Sequence, residues 1–142
     1  MAVLVPNLAA PYKSVYIPFG MTSTPAGTAP VSSAVYRMWM ATEPSEILSI
    51  QLIRTTGAQD AGLTYQAGSI AVSAAVGALT AMAATTAADP VAVGLLTVPV
   101  DADANDSTKG PTLQPGTVVG FTVSGTVTNA KLQGMIIKYR ST

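Results

Sequence analysis

The sequence predicts an all-β protein, an antiparallel β-sandwich over residues 31–142, preceded by an extended N-terminal arm over residues 1–30 and carrying one short Ala-rich helix. Three observations predict it. From residue 31 onward, segments alternate apolar and polar residues with period two, the spacing of a strand with one face buried. Clusters of Gly, Pro, Asn, Asp and Ser separate these segments, as turns between strands require. Five of the ten prolines, Pro6, Pro11, Pro18, Pro25 and Pro30, fall in the first thirty residues. That spacing forbids a helix, because each proline removes a donor and biases its predecessor toward extended geometry. A chain of 142 residues is the size of one domain with one core.

In chain order, the arm holds short apolar pieces, Val3-Leu4-Val5 and Val15-Tyr16-Ile17, with Tyr12 between them. Such an arm either folds back on its own sheet or lies on a neighbour. Residues 31–41 carry Val35, Tyr36, Met38, Trp39 and Met40, apolar on both pleat faces, so one face meets the core and the other needs a second cover. After Glu43-Pro44-Ser45, residues 47–55 alternate, placing Leu48, Ile50 and Leu52 on one face and Ser49 and Gln51 on the other. A turn over residues 56–62 leads into a strand over residues 63–72. Residues 73–84 are expected to be the helix: Ser73 caps it, Val76, Leu79 and Met82 recur three apart, and alanine is the best helix former. Residues 91–100 resume as a strand ending at the Pro99 edge. A polar loop follows, then the turn Leu113-Gln114-Pro115-Gly116. Val119, Phe121 and Val123 then point inward while Thr122 and Ser124 point outward, and residues 132–139 form the last strand.

Composition excludes much chemistry. The chain has no cysteine and no histidine, so disulfides, thiolate zinc sites, cysteine nucleophiles and histidine triads have no residues to form from. No enzyme activity and no cofactor are expected. Seven basic residues balance seven acidic ones, which gives no field to steer nucleic acid. Charged residues are 10% of the chain, against about 25% in an ordinary soluble domain, while 49% are hydrophobic. The uncharged run over residues 62–88 is mostly Ala, Gly, Ser and Thr, too weakly apolar for a spanning helix. The N-terminus lacks the basic residue that opens a secretory signal. Burial of surface in an assembly therefore accounts for the composition better than a membrane does.

Few residues are candidates for chemistry. Asp101, Asp103 and Asn105 bunch oxygen ligands at the spacing that opens a calcium loop, but Asp106 stands where such a loop needs glycine and Thr112 where it needs glutamate. A solvated loop is the preferred reading. Glu43 and Glu46 are expected as exposed turn residues rather than an acid–base pair. Lys131, Lys138 and Arg140 read as ordinary solvated surface. The turn at Leu113-Gln114-Pro115-Gly116, the strand after it, the Ser124-Gly125-Thr126 break and the final long strand resemble the closing hairpin of jelly-roll modules in phage head decoration (cement) proteins and, more distantly, tumour-necrosis-factor-like trimers. The resemblance covers residues 90–142 and implies a jelly roll that self-associates, most often as a trimer. It also implies binding to a major capsid protein and residence on the virion surface. Val3, Leu4, Val5, Tyr12, Tyr16, Tyr36, Met38 and Trp39 are the candidate interface residues. The alternative is a carbohydrate- or protein-binding sandwich with a platform at Tyr36 and Trp39.

Overall fold

The structure is a computed structural model and describes residues 12–20, 27–55, 60–73, 79–82, 94–98, 100 and 109–142. Among these residues there is no helix, and so none long and apolar enough to cross a membrane. The strands are β1 (Tyr12–Pro18), β2 (Val35–Met40), β3 (Ser45–Arg54), β4 (Thr64–Ala71), β5 (Thr80–Ala81), β6 (Gly94–Val98), β7 (Thr112–Leu113), β8 (Thr117–Ser124) and β9 (Leu132–Ser141). All pair antiparallel. One sheet has the order β1-β9-β3-β6, with β7 joined to β3, and the other has the order β2-β8-β4-β5. Packed together they make a β-sandwich.

Inward-facing residues of both sheets fill the space between them. Ile50, Leu52, Met135, Ile137, Tyr65, Ala67, Val119 and Phe121 are fully buried. Phe121 is central to an aromatic cluster: Tyr36 stacks on it at 5.0 Å and 29°, and Tyr65 meets it edge-on at 6.2 Å. Phe19, just past β1, meets Tyr36 edge-on at 4.8 Å. Trp39 packs on Tyr139 of the opposite sheet at 4.7 Å. Such pairs add roughly 0.5–1.5 kcal/mol each beyond the area they bury.

Two bulges set which residues face in. The β2–β8 register shifts between Arg37 and Trp39, so Met38 is the extra residue and both Tyr36 and Trp39 turn inward although they lie three apart. The β3–β9 register shifts between Ile47 and Ser49. Leu48 is therefore the inserted residue and only half-buried, while Ile47 joins Ile50 and Leu52 in the core. This corrects the expected face of Leu48, Ile50 and Leu52.

Three further expectations are corrected. In its described part the arm is a strand: β1 pairs along its whole length with β9, from Tyr12↔Arg140 to Pro18↔Gly134, and Thr28 bridges Leu132. Val15 and Ile17 turn toward the core, which anchors the strand. Val3, Leu4 and Val5 lie outside the described residues. The Ala-rich helix is not seen. Ser73 is in a turn, and Thr80–Ala81 pair with β4 while Leu79 seats over Gly68 and Gly120, where no side chain blocks it. The open backbone edge of β4 outweighs the intrinsic preference of alanine. Residues 74–78 and 83–84 of that stretch lie outside the described residues. Lastly, β8 and β9 do not form a closing hairpin: they belong to opposite sheets and residues 125–131 cross between them.

Gly134 is required by a close approach. The Tyr16 ring lies over it, and a Cβ there would collide with that ring and sit 2.7 Å from the Ile17 carbonyl oxygen. Gly134→Ala is expected to cost about 1–3 kcal/mol in urea unfolding, the range for overpacking. Ser14→Ala, on the exposed outer face of β1, is expected to stay within about 0.5 kcal/mol.

Candidate interaction surface

The candidate interface residues separate into two groups. Tyr36 and Trp39 belong to the inter-sheet packing, and the Tyr36 hydroxyl accepts the Val31 N–H at 2.6 Å. They form no exposed platform. Met38, half-buried, lines a groove of about 460 Å³ that runs between β1 and β2, with Ile17 and Phe19 on one wall and Tyr36 and Arg37 on the other. Tyr12 and Tyr16 are exposed, at 71% and 46%, on the outer face of the β1-β9-β3-β6 sheet. Each is held in place. The Arg140 guanidinium lies 5.6 Å from the Tyr12 ring centre, and the Tyr16 hydroxyl donates to the Gln133 carbonyl at 3.1 Å.

The charged residues around β1 are used up within the fold. Glu43 receives the Lys13 ammonium at 2.7 Å and the Ser141 hydroxyl at 2.6 Å. The hydrogen bond from Lys13, then that from Ser141, holds the Glu43 carboxyl below its usual range, and the same bond to Glu43 raises Lys13. Glu46, expected as an exposed turn residue, is 2% exposed. It accepts from Arg140 Nε at 2.7 Å and Nη2 at 2.5 Å, and from the Gly110 N–H at 3.0 Å. Arg140 is thus an ion-pair partner rather than solvated surface. The short β7 strand and Gly110 cover this pair, which is why Glu46 is buried despite following a turn.

Asp60 is a second buried acid that the sequence does not mark. Its carboxylate accepts the N–H groups of Thr128, Asn129 and Ala130, the last at 2.7 Å, and so pins the crossing from β8 to β9. Burial pushes its carboxyl up, but the three backbone bonds and the nearby Arg54 outweigh this and hold it below the usual range. Its partners lie about seventy residues away, so no local spacing announces them. Asp101, Asp103 and Asn105 lie outside the described residues. Among the described residues no group of three acids exists to hold a metal.

No family model, curated protein or solved structure matches this chain.

Asp60→Ala is expected to cost about 2–3 kcal/mol at neutral pH, since it strands N–H donors that the carboxylate now receives. The folded carboxyl titrates below its unfolded value of about 3.9. Its contribution is therefore complete above that value and is lost as pH falls through the folded value. Denaturant melts of both proteins across pH 2–7 should show the gap narrowing in acid; a gap that holds constant would assign the effect to packing instead.

Proposed function

We propose that the sandwich is a jelly roll and that the chain is a non-enzymatic structural subunit. In this reading it packs against copies of itself and onto the surface of a larger particle, as decoration subunits do on phage heads. The pairing pattern supports the fold. β1 pairs with β9, β2 with β8, β3 with β6 and β4 with β5, which is one long antiparallel hairpin, its two halves nested about the middle of the chain. Rolled into two sheets, it brings β9 beside β3 and β8 beside β4. Jelly rolls of this kind recur in viral capsid proteins and lectins.

The observation that carries the assembly role is the β1 edge. It is a seven-residue strand with two exposed tyrosines, its single charge is neutralised by Glu43, and it sits on a chain with only 10% charged residues. An apolar, uncharged edge of that length is a template for association. A major capsid protein is the larger partner in this reading, the virion surface is the location, and nucleic acid has no part. The sugar-binding alternative needs Tyr36 and Trp39 as a platform, and their packing between the sheets removes its support.

Light scattering after size exclusion tests the reading. The expected mass at micromolar concentration is a multiple of 14.4 kDa, whereas a monomer would overturn self-association. Copurification with a large particle at a fixed copy ratio tests the second half, and a chain recovered only apart from particles would sink it.

A further inference from the structure

Each sheet has two outer strands, and they differ in how they are guarded. In the second sheet, β2 carries the Met38 bulge and the exposed Arg37, two devices that discourage edge pairing, and β5 is two residues long. In the first sheet, β6 has five residues and starts at Gly94, whose φ is 110°. β1 has seven residues, pairs regularly with β9 and has no bulge. Among the described residues no strand lies on its outer side.

The register fixes which backbone groups point outward. The Phe19 N–H donates to the Gln133 carbonyl, so the Phe19–Gln133 pair exchanges hydrogen bonds across β1 and β9. Bonded pairs alternate along an antiparallel ladder. Ile17, Val15 and Lys13 therefore bond β9, while Tyr12, Ser14, Tyr16 and Pro18 aim their backbone groups at the open side. The nitrogen that proline leaves without a proton falls on that open side, where it costs the ladder nothing.

We infer that a second copy of this chain occupies the open side, β1 pairing antiparallel with β1 about a two-fold axis at Ser14. The inference rests on the self-association proposed above and specifies its interface. In this register Ser14 faces the partner's Ser14, Tyr12 faces the partner's Tyr16, and Tyr16 faces the partner's Tyr12. Every outward N–H of the strand finds a carbonyl, and Pro18 falls just beyond the paired stretch. The outer faces meet as two cross-strand tyrosine pairs around a serine pair, a favourable combination. On the inner face Lys13 comes opposite the partner's Val15, so no like charges meet, and the Lys13 charge is already matched by Glu43. A register one pair further along would place Pro18 opposite Tyr12 and leave that carbonyl without a donor. The two sheets become one continuous sheet through the dimer. The contact is isologous and closes on itself, so the assembly is a dimer or an even multiple of it.

Cysteine cross-linking tests the register in a chain that has no cysteine of its own. Directly facing residues of a bonded pair have Cα atoms about 5.5 Å apart, within disulfide reach. Ser14→Cys, at an exposed site, should convert to a disulfide-linked dimer under mild oxidation. Tyr12→Cys alone should stay a free thiol, its two copies being roughly 14 Å apart, but should cross-link when mixed with Tyr16→Cys. On the native chain, the amides of Ser14 and Tyr16 should exchange more than about tenfold slower at a concentration where the protein is associated than where it is dilute. If light scattering finds an oligomer while Ser14→Cys stays a free thiol, or while those amides exchange quickly, the β1 interface is wrong and self-association stands. A trimeric mass has the same consequence. A monomer at micromolar concentration removes both.

Discussion

β9 is the strand on which the rest of the structure depends. It is bonded on both sides, to β1 over seven residues and to β3 over nearly its whole length, and it is the only strand that links the N-terminal segment to the first sheet. Its inward residues Leu132, Met135 and Ile137 are fully buried, each side chain worth roughly 1.5–3 kcal/mol in transfer from water. Its outward residues are equally constrained. Gly134 makes room for the Tyr16 ring, and Arg140 must reach Glu46. The first and last strands of the chain are thus neighbours, and the sheet cannot form until residues more than a hundred apart meet. Such nonlocal closure carries a large entropic cost before any contact rewards it, which places this chain among the slow-folding topologies.

Two buried acids secure the places where the chain leaves one sheet for another. Asp60 collects three N–H groups of the crossing between β8 and β9, and Glu46 ties the start of β3 to the end of β9 and to Gly110. A buried carboxylate without partners would be costly, so these loops have one arrangement that satisfies it and many that do not. In a protein whose strands are nearly all apolar, register slips are otherwise cheap. The few charges of the chain are spent on uniqueness rather than on solubility.

This division explains what the sequence reveals and what it conceals. Strands β3, β4, β6, β8 and β9 are legible because burial on one face writes a period of two directly into the residues, as in Val119, Phe121 and Val123. A bulge breaks that period without leaving a mark, so the inward turn of Trp39 and the displacement of Leu48 are invisible until the partner strand is known. The alanine run carries helix propensity, yet Thr80–Ala81 take a place that the edge of β4 offers. Propensity is local and that edge is not. The same holds for the interaction surface. Tyr12 and Tyr16 are legible as exposed candidates from their alternation with Val15 and Ile17, but Tyr36 and Trp39, of the same chemical type, are drawn between the sheets by contacts with Phe121 and Tyr139. Glu46 and Asp60 look like turn residues because their partners are distant in sequence.

The guarding of edges is uneven, and the unevenness has a direction. A charged side chain and a bulge protect β2, although it is a residue shorter than β1 and faces the same groove. If solubility as a monomer set the pattern, the longer and flatter β1 would need the stronger guard. Its one lysine instead turns to Glu43 inside its own subunit, and its outward positions hold tyrosine and serine, residues that add contact area with little desolvation cost. Those are the properties of a surface that is covered in use. A chain with one charge in ten residues has few ways to keep such an edge apart from its copies, and the arrangement of Lys13 shows that it does not use the one it has.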